Sequence, residues 1–86
     1  MAKTNGPPSE LKPAMKFIEI SGAVLLKLAE VQQVPELRAA GITDKSDVRI
    51  NQQGDIEIRQ NGSWSIIGGL IGDYQNRIRK LTGQGW

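Results

Sequence analysis

The chain has 86 residues, of which 38% are hydrophobic, and contains neither cysteine nor histidine. Without thiol or imidazole groups, disulfides, thiolate nucleophiles, Cys/His zinc sites and Ser–His or Cys–His relays are excluded. Eleven Lys/Arg against nine Asp/Glu leave a net charge of +2, less than dedicated nucleic-acid binders usually carry.

A chain this short forms one domain with a small core, so burial of further surface in a homodimer or complex would add stability. Met1 to about Pro13 is polar and holds Pro7, Pro8 and Pro13, as expected of a flexible tail over residues 1–13. It shows no apolar signal-peptide region, and no later run approaches the ~20 apolar residues of a membrane helix. A cytoplasmic protein is expected, with residues 14–86 as its single domain.

Ala14 to Val34 sorts into a helix: at ~100° per residue Phe17, Ile20, Val24, Leu28 and Val31 share one side. Lys16, Glu19, Lys27 and Glu30 take the other, with Leu26 stranded among them as a candidate partner contact. The competing reading is a short strand in "KFIEISG" ending at Ser21-Gly22, since glycine is a poor residue inside a helix. "PELRAAG" then reads as a short helix, opened by Pro35 and stopped by Gly41.

From Asp47 the apolar period becomes two: Val48/Ile50, Ile56/Ile58 and Trp64/Ile66 describe a three-stranded meander. Gly54 and Gly62 each fit the third place of a three-residue loop. That loop length pairs Ile50 with Ile56 and Val48 with Ile58, then Ile58 with Trp64 and Ile56 with Ile66. A two-residue Asn61-Gly62 loop would instead set Trp64 beside Arg59 on the charged face. With Trp64 inward, Arg49 lies opposite Glu57 and Asp47 opposite Arg59, and Asp55 and Glu57 lie on a solvated outer face. About Gly69 to Thr82 forms a closing amphipathic helix with Ile71, Tyr74, Ile78 and Leu81 on one side. Asp73 is spaced to pair with Arg77, Gly83 ends the helix, and Trp86 is a terminal aromatic expected to dock on the core. The expected fold class is α+β, in the order α–α(short)–β–β–β–α, with helices on one face of a three-stranded antiparallel sheet.

Two segments carry motif-like patterns. In "IIGGLIGD" Gly68, Gly69 and Gly72 turn strand into helix, but Ile67 stands where a dinucleotide fingerprint needs its first glycine. No Lys-Ser or Lys-Thr follows to make a P-loop, and Asp73 is placed to cap the free amides and repel phosphate. A GxxG loop beside "RIRKLTG" is similar to the KH-domain loop, although Leu70-Ile71 and the preceding strand depart from it. "VPELRAAGITDKSDVRINQQGDIEIR" resembles the AbrB-type swapped-hairpin DNA-binding family through Pro35, Arg38, Gly41, Ile42, Asp47 and two alternating strands. Its proline, arginine and glycine are each spaced one residue short, and Ser46 replaces a glycine. The resemblance implies a dimeric DNA binder with Arg38 on the nucleic acid.

The expected function is a non-enzymatic protein-interaction or accessory module without cofactor or metal, acting through a partner that touches Leu26 and Trp86. The alternative is a nucleic-acid-binding regulator using Arg38, Arg77, Arg79 and Lys80. A third is anion or nucleotide binding at Gly68, Gly69 and Gly72.

Overall fold

The structure, a computed structural model, describes residues 16–86, so the expected tail lies outside the described residues. The chain is α+β, with three helices and a four-stranded antiparallel sheet in the order β1-β2-β3-β4. The elements are β1 (Phe17–Ser21), α1 (Gly22–Leu28), a 3-10 turn (Val31–Gln33), α2 (Val34–Ala39), β2 (Asp47–Asn51), β3 (Asp55–Gln60), β4 (Ser63–Gly69) and α3 (Tyr74–Thr82).

The long first helix expected over 14–34 is replaced by a strand and a shorter helix. Ile18 is buried and Glu19 exposed, the alternation of a strand with one face inward. Phe17 to Ser21 pairs with Asn51 to Asp47, adding a fourth strand to the meander. At the junction the Ser21 side chain accepts a hydrogen bond from Val24 N at 3.2 Å, capping α1. Gly22 N donates to Ser46 O at 2.8 Å, and a side chain at Gly22 would overlap the Thr43 carbonyl. The chain thus needs glycine where the loop 43–46 crosses it. Val31, placed inward by helical spacing, is 85% exposed.

The second helix matches expectation, with Pro35 in its first turn and Gly41 leaving it at φ 109°. So does the first hairpin, which pairs Val48 with Ile58, Arg49 with Glu57 and Ile50 with Ile56. Gly54 takes φ 88° at its loop, and Asn51 steadies that loop by accepting from Asp55 N at 2.9 Å. Tyr74 lies against Gly54 and donates its hydroxyl to Gln52 O at 2.9 Å, docking the start of α3 onto the same turn.

The second hairpin departs from the expected register. Asn61 and Gly62 both have positive φ, 53° and 80°, making a two-residue loop. Such loops carry the twist that two right-handed strands require, and Asn-Gly is their favoured pair. Ser63 therefore pairs with Gln60, Trp64 with Arg59, Ser65 with Ile58 and Ile66 with Glu57. A one-residue slip moves side chains to the opposite face, so Trp64 and Ile66 leave the core side. The ladder then shifts between Ile56 and Glu57, leaving Ile67 as an extra residue before Gly68 pairs with Ile56. That bulge returns Ile67 to a half-buried place against the core.

Buried side chains from the strands (Ile18, Val48, Ile50, Ile56, Ile58) meet Leu25, Leu28, Leu37 and Ile78 from the helices, with Ile42 and Leu70 from the connections. Among the described residues no helix is long and apolar enough to cross a membrane.

Candidate interaction face

Alternation along each strand sends Phe17, Glu19, Asp47, Arg49, Asp55, Glu57, Arg59, Trp64 and Ile66 to the face opposite the core. Arg49 organises it. Its guanidinium carbon lies 3.8 Å from the Phe17 ring centroid and 4.4 Å from that of Trp64. The Arg49 Nε and Nη2 groups donate to Glu57 Oε1 at 3.0 and 2.9 Å. Trp64 stands on β4 and Arg49 on β2, so the indole reaches across β3 to the guanidinium. Glu57, bonded to Arg49 and flanked by Ile66 on the ladder, is only 8% exposed, rather than solvated as expected for an outer-face carboxylate. Arg59 stands at 5.9 Å from the indole centroid, next to its ladder partner.

The result is a stack of ring, cation and ring, hydrogen-bonded at its edge to a carboxylate. A cation–π contact contributes roughly 0.5–1 kcal/mol when exposed and about 2 when desolvated. Here two rings share one guanidinium whose side chain is 24% exposed. Phe17, Arg49, Glu57 and Trp64 thus pack on one another at the centre of the face. Ile66 adjoins them and is 66% exposed. Outward positions on the strands carry four acids (Glu19, Asp47, Asp55, Glu57) against two arginines (Arg49, Arg59), so the face is acidic on balance. Among the described residues the ion pairs are Arg49–Glu57 and Arg77–Glu30, and the expected Asp47–Arg59 pair does not form.

The basic residues singled out from the sequence lie on the helices. Arg77 is a brace: it donates to Leu28 O at 2.9 Å and Ile71 O at 2.7 Å, and pairs with Glu30 at 3.2 Å. Its expected pairing with Asp73 is not made, because the chain brings Glu30 and two carbonyls to it. Arg79 donates to Asn76 Oδ1 at 2.7 Å. Lys80, Arg77 and Lys27 rim a shallow groove of about 280 Å³ whose apolar lining is Leu28 and Leu81. Arg38 is exposed on α2 and does not line that groove.

The glycine turn is occupied by protein. Gly68 and Gly69 belong to β4, and the Gly69 carbonyl accepts from Gln33 Nε2 at 2.7 Å. Gly72, at φ 75°, is so close to Glu30 that an added Cβ would lie 2.9 Å from its carboxylate oxygen. Asp73 does not cap the α3 amides with its side chain as expected; its Oδ2 accepts from Asn76 Nδ2 at 2.7 Å. An anion in this turn would meet two carboxylates. Leu26, expected among the exposed charges, is partly buried against the core. Trp86 also packs on the core, edge-to-face with Tyr74 at 6.1 Å between centroids. The two residues selected as partner contacts are thus drawn inward.

Sequence reasoning missed Phe17, Arg49, Trp64 and Ile66 as one group. The signal for it was present in Asn61-Gly62, whose turn preference alone sets Trp64 beside Arg59. Among the described residues no cluster of three or more His, Cys, Asp or Glu is arranged to hold a metal ion. No protein-family model, curated protein or solved structure matches this chain.

Proposed function

We propose that the chain is a non-enzymatic interaction module of the cytoplasm that binds a partner protein through the open sheet face centred on Trp64. The observation that carries this is the Phe17–Arg49–Trp64 stack beside the 66% exposed Ile66. Tryptophan and arginine dominate the energetics of protein interfaces, and side chains already packed on one another have less freedom left to lose on binding. Four acids against two arginines on the same face disfavour a phosphate backbone, which requires a cationic surplus. This balance separates the reading from nucleic-acid binding by a stacking sheet.

The test is affinity capture by the immobilised full-length chain, comparing wild type with Trp64→Ala, Ile66→Ala and Lys80→Ala, each checked for folding by circular dichroism. Specific capture of a protein that Trp64→Ala and Ile66→Ala weaken at least tenfold, and Lys80→Ala leaves unchanged, supports the face. Loss on Lys80→Ala alone, or salt-sensitive retention of nucleic acid, rejects it.

A further inference from the structure

The two edges of the sheet are unlike. Edge strand β1 carries Glu19 at its exposed centre and follows Lys16, and charges of this kind keep an edge from pairing with another chain. Edge strand β4 is "SWSIIGG", with no charge and no proline. No charged residue occurs between Arg59 and Asp73. From Ser63 to Ile66, ahead of the bulge at Ile67, this edge is neutral and regular with an exposed isoleucine, a template for strand addition.

Its hydrogen-bonding pattern follows from the hairpin. Gln60 and Ser63 flank the two-residue loop and exchange both their hydrogen bonds, and exchange pairs then alternate along the ladder. Trp64 and Ile66 therefore aim their N–H and C=O groups away from β3. Further along, the Gly69 carbonyl is taken by Gln33 Nε2 at 2.7 Å, which closes that end of the strand. The open stretch runs from Ser63 to Ile67, and its central residue is Ser65.

We propose that β4 pairs antiparallel with β4 of a second copy of this chain, about a twofold axis through Ser65, to make a continuous eight-stranded sheet. In this register Trp64 exchanges backbone hydrogen bonds with Ile66 of the second copy, and Ile66 with its Trp64. Both residues point to the outer face, so each indole packs beside an isoleucine, an aromatic–β-branched pair favoured between strands. Absence of charge along the strand removes like-charge repulsion between identical edges. The two Ser65 residues face one another as a non-hydrogen-bonded pair, with Cα atoms about 4.5 Å apart. This pairing rests on the edge and not on the open-face reading, which concerns a different partner.

The chain has no native cysteine, so a single introduced thiol reports the register. Ser65→Cys is expected to give a disulfide-linked dimer on mild oxidation, since about 4.5 Å lies within the Cα range of disulfides. Ser63→Cys opposes Ile67 of the second copy, with the two thiol-bearing residues about 13 Å apart, and is expected not to cross-link. Sedimentation equilibrium of the full chain is expected to show twice the 9.4 kDa monomer mass. Ile66→Lys, still folded by circular dichroism, should raise the dimer dissociation constant at least tenfold. A wild-type chain that remains monomeric at millimolar concentration overturns the pairing. So does equal cross-linking at positions 63 and 65, or a dimer whose Ser65→Cys variant stays uncrosslinked.

Discussion

Arg49 is the residue on which the outer face turns, because three partners restrict it at once. Phe17 and Trp64 cover its two faces, and Glu57 accepts from its edge. A lysine cannot reproduce this, since its ammonium has neither the plane to stack nor the fork to bond. A double-mutant cycle of Arg49→Ala with Trp64→Ala is expected to give a coupling energy of about 0.5–2 kcal/mol in urea denaturation. Coupling indistinguishable from zero would mean that the indole and guanidinium are neighbours without interaction. Gly22 offers an independent residue-scale test. Its missing side chain admits the Thr43 carbonyl, so Gly22→Ala must push the 43–46 loop outward. The expected cost is about 1–3 kcal/mol by urea melt, the range for overpacking a close contact. In an ordinary helix interior the same change would stabilise, and a gain here would restore the long first helix.

Among the elements, the two hairpins show how far local chemistry can be read before the chain folds. The first was legible because two signals agree: Gly54 in the third loop position and the alternation of Val48/Ile50 against Ile56/Ile58. In the second they conflict. Burying Trp64 required a three-residue loop, whereas Asn61-Gly62 favours two. The turn prevails because the strand accommodates it further on: the bulge brings Ile67 back towards the core, a compensation that no spacing of Trp64 and Ile66 reveals. Gly62→Ala should therefore cost about 1–2 kcal/mol, although nothing lies within 4 Å of the added carbon, because the strain is in the backbone. The helix reading of 14–34 failed for a related reason. Ile18 and Ile20 belong to a strand period and Leu25 and Leu28 to a helix period, and the two sets overlap when plotted at 100° per residue. Arg77 then ties the closing helix to α1 and to the turn before it, through Leu28, Ile71 and Glu30. Arg77→Ala is expected to lower stability by about 1.5–3 kcal/mol in urea denaturation, without rescue by Arg77→Lys. A loss below half a kcal/mol would reduce these contacts to surface decoration.

At the scale of the whole molecule, one layer of helices and one sheet leave the second sheet face uncovered among the described residues, and the proposed function rests on this asymmetry. Composition had already removed thiol, imidazole and disulfide chemistry, and the structure directs attention from the basic helix end to the sheet. Arg77 and Arg79 are held by hydrogen bonds within the protein, and Leu26 and Trp86 pack against its core. Arg38 and Lys80 stay exposed on the helices, while the sheet presents an aromatic and arginine surface with an acidic surround. The outward position of Trp64 underlies both the proposed face and the register of the proposed edge pairing. It is tested most directly by nuclear Overhauser contacts from the Trp64 indole in the isotope-labelled chain. Cross-peaks to the Arg49 side chain and the Phe17 ring, with none to the Ile58 methyl groups, are the predicted result. Strong contacts between that indole and Ile58, with none to Arg49, would put Trp64 in the core and contradict the account.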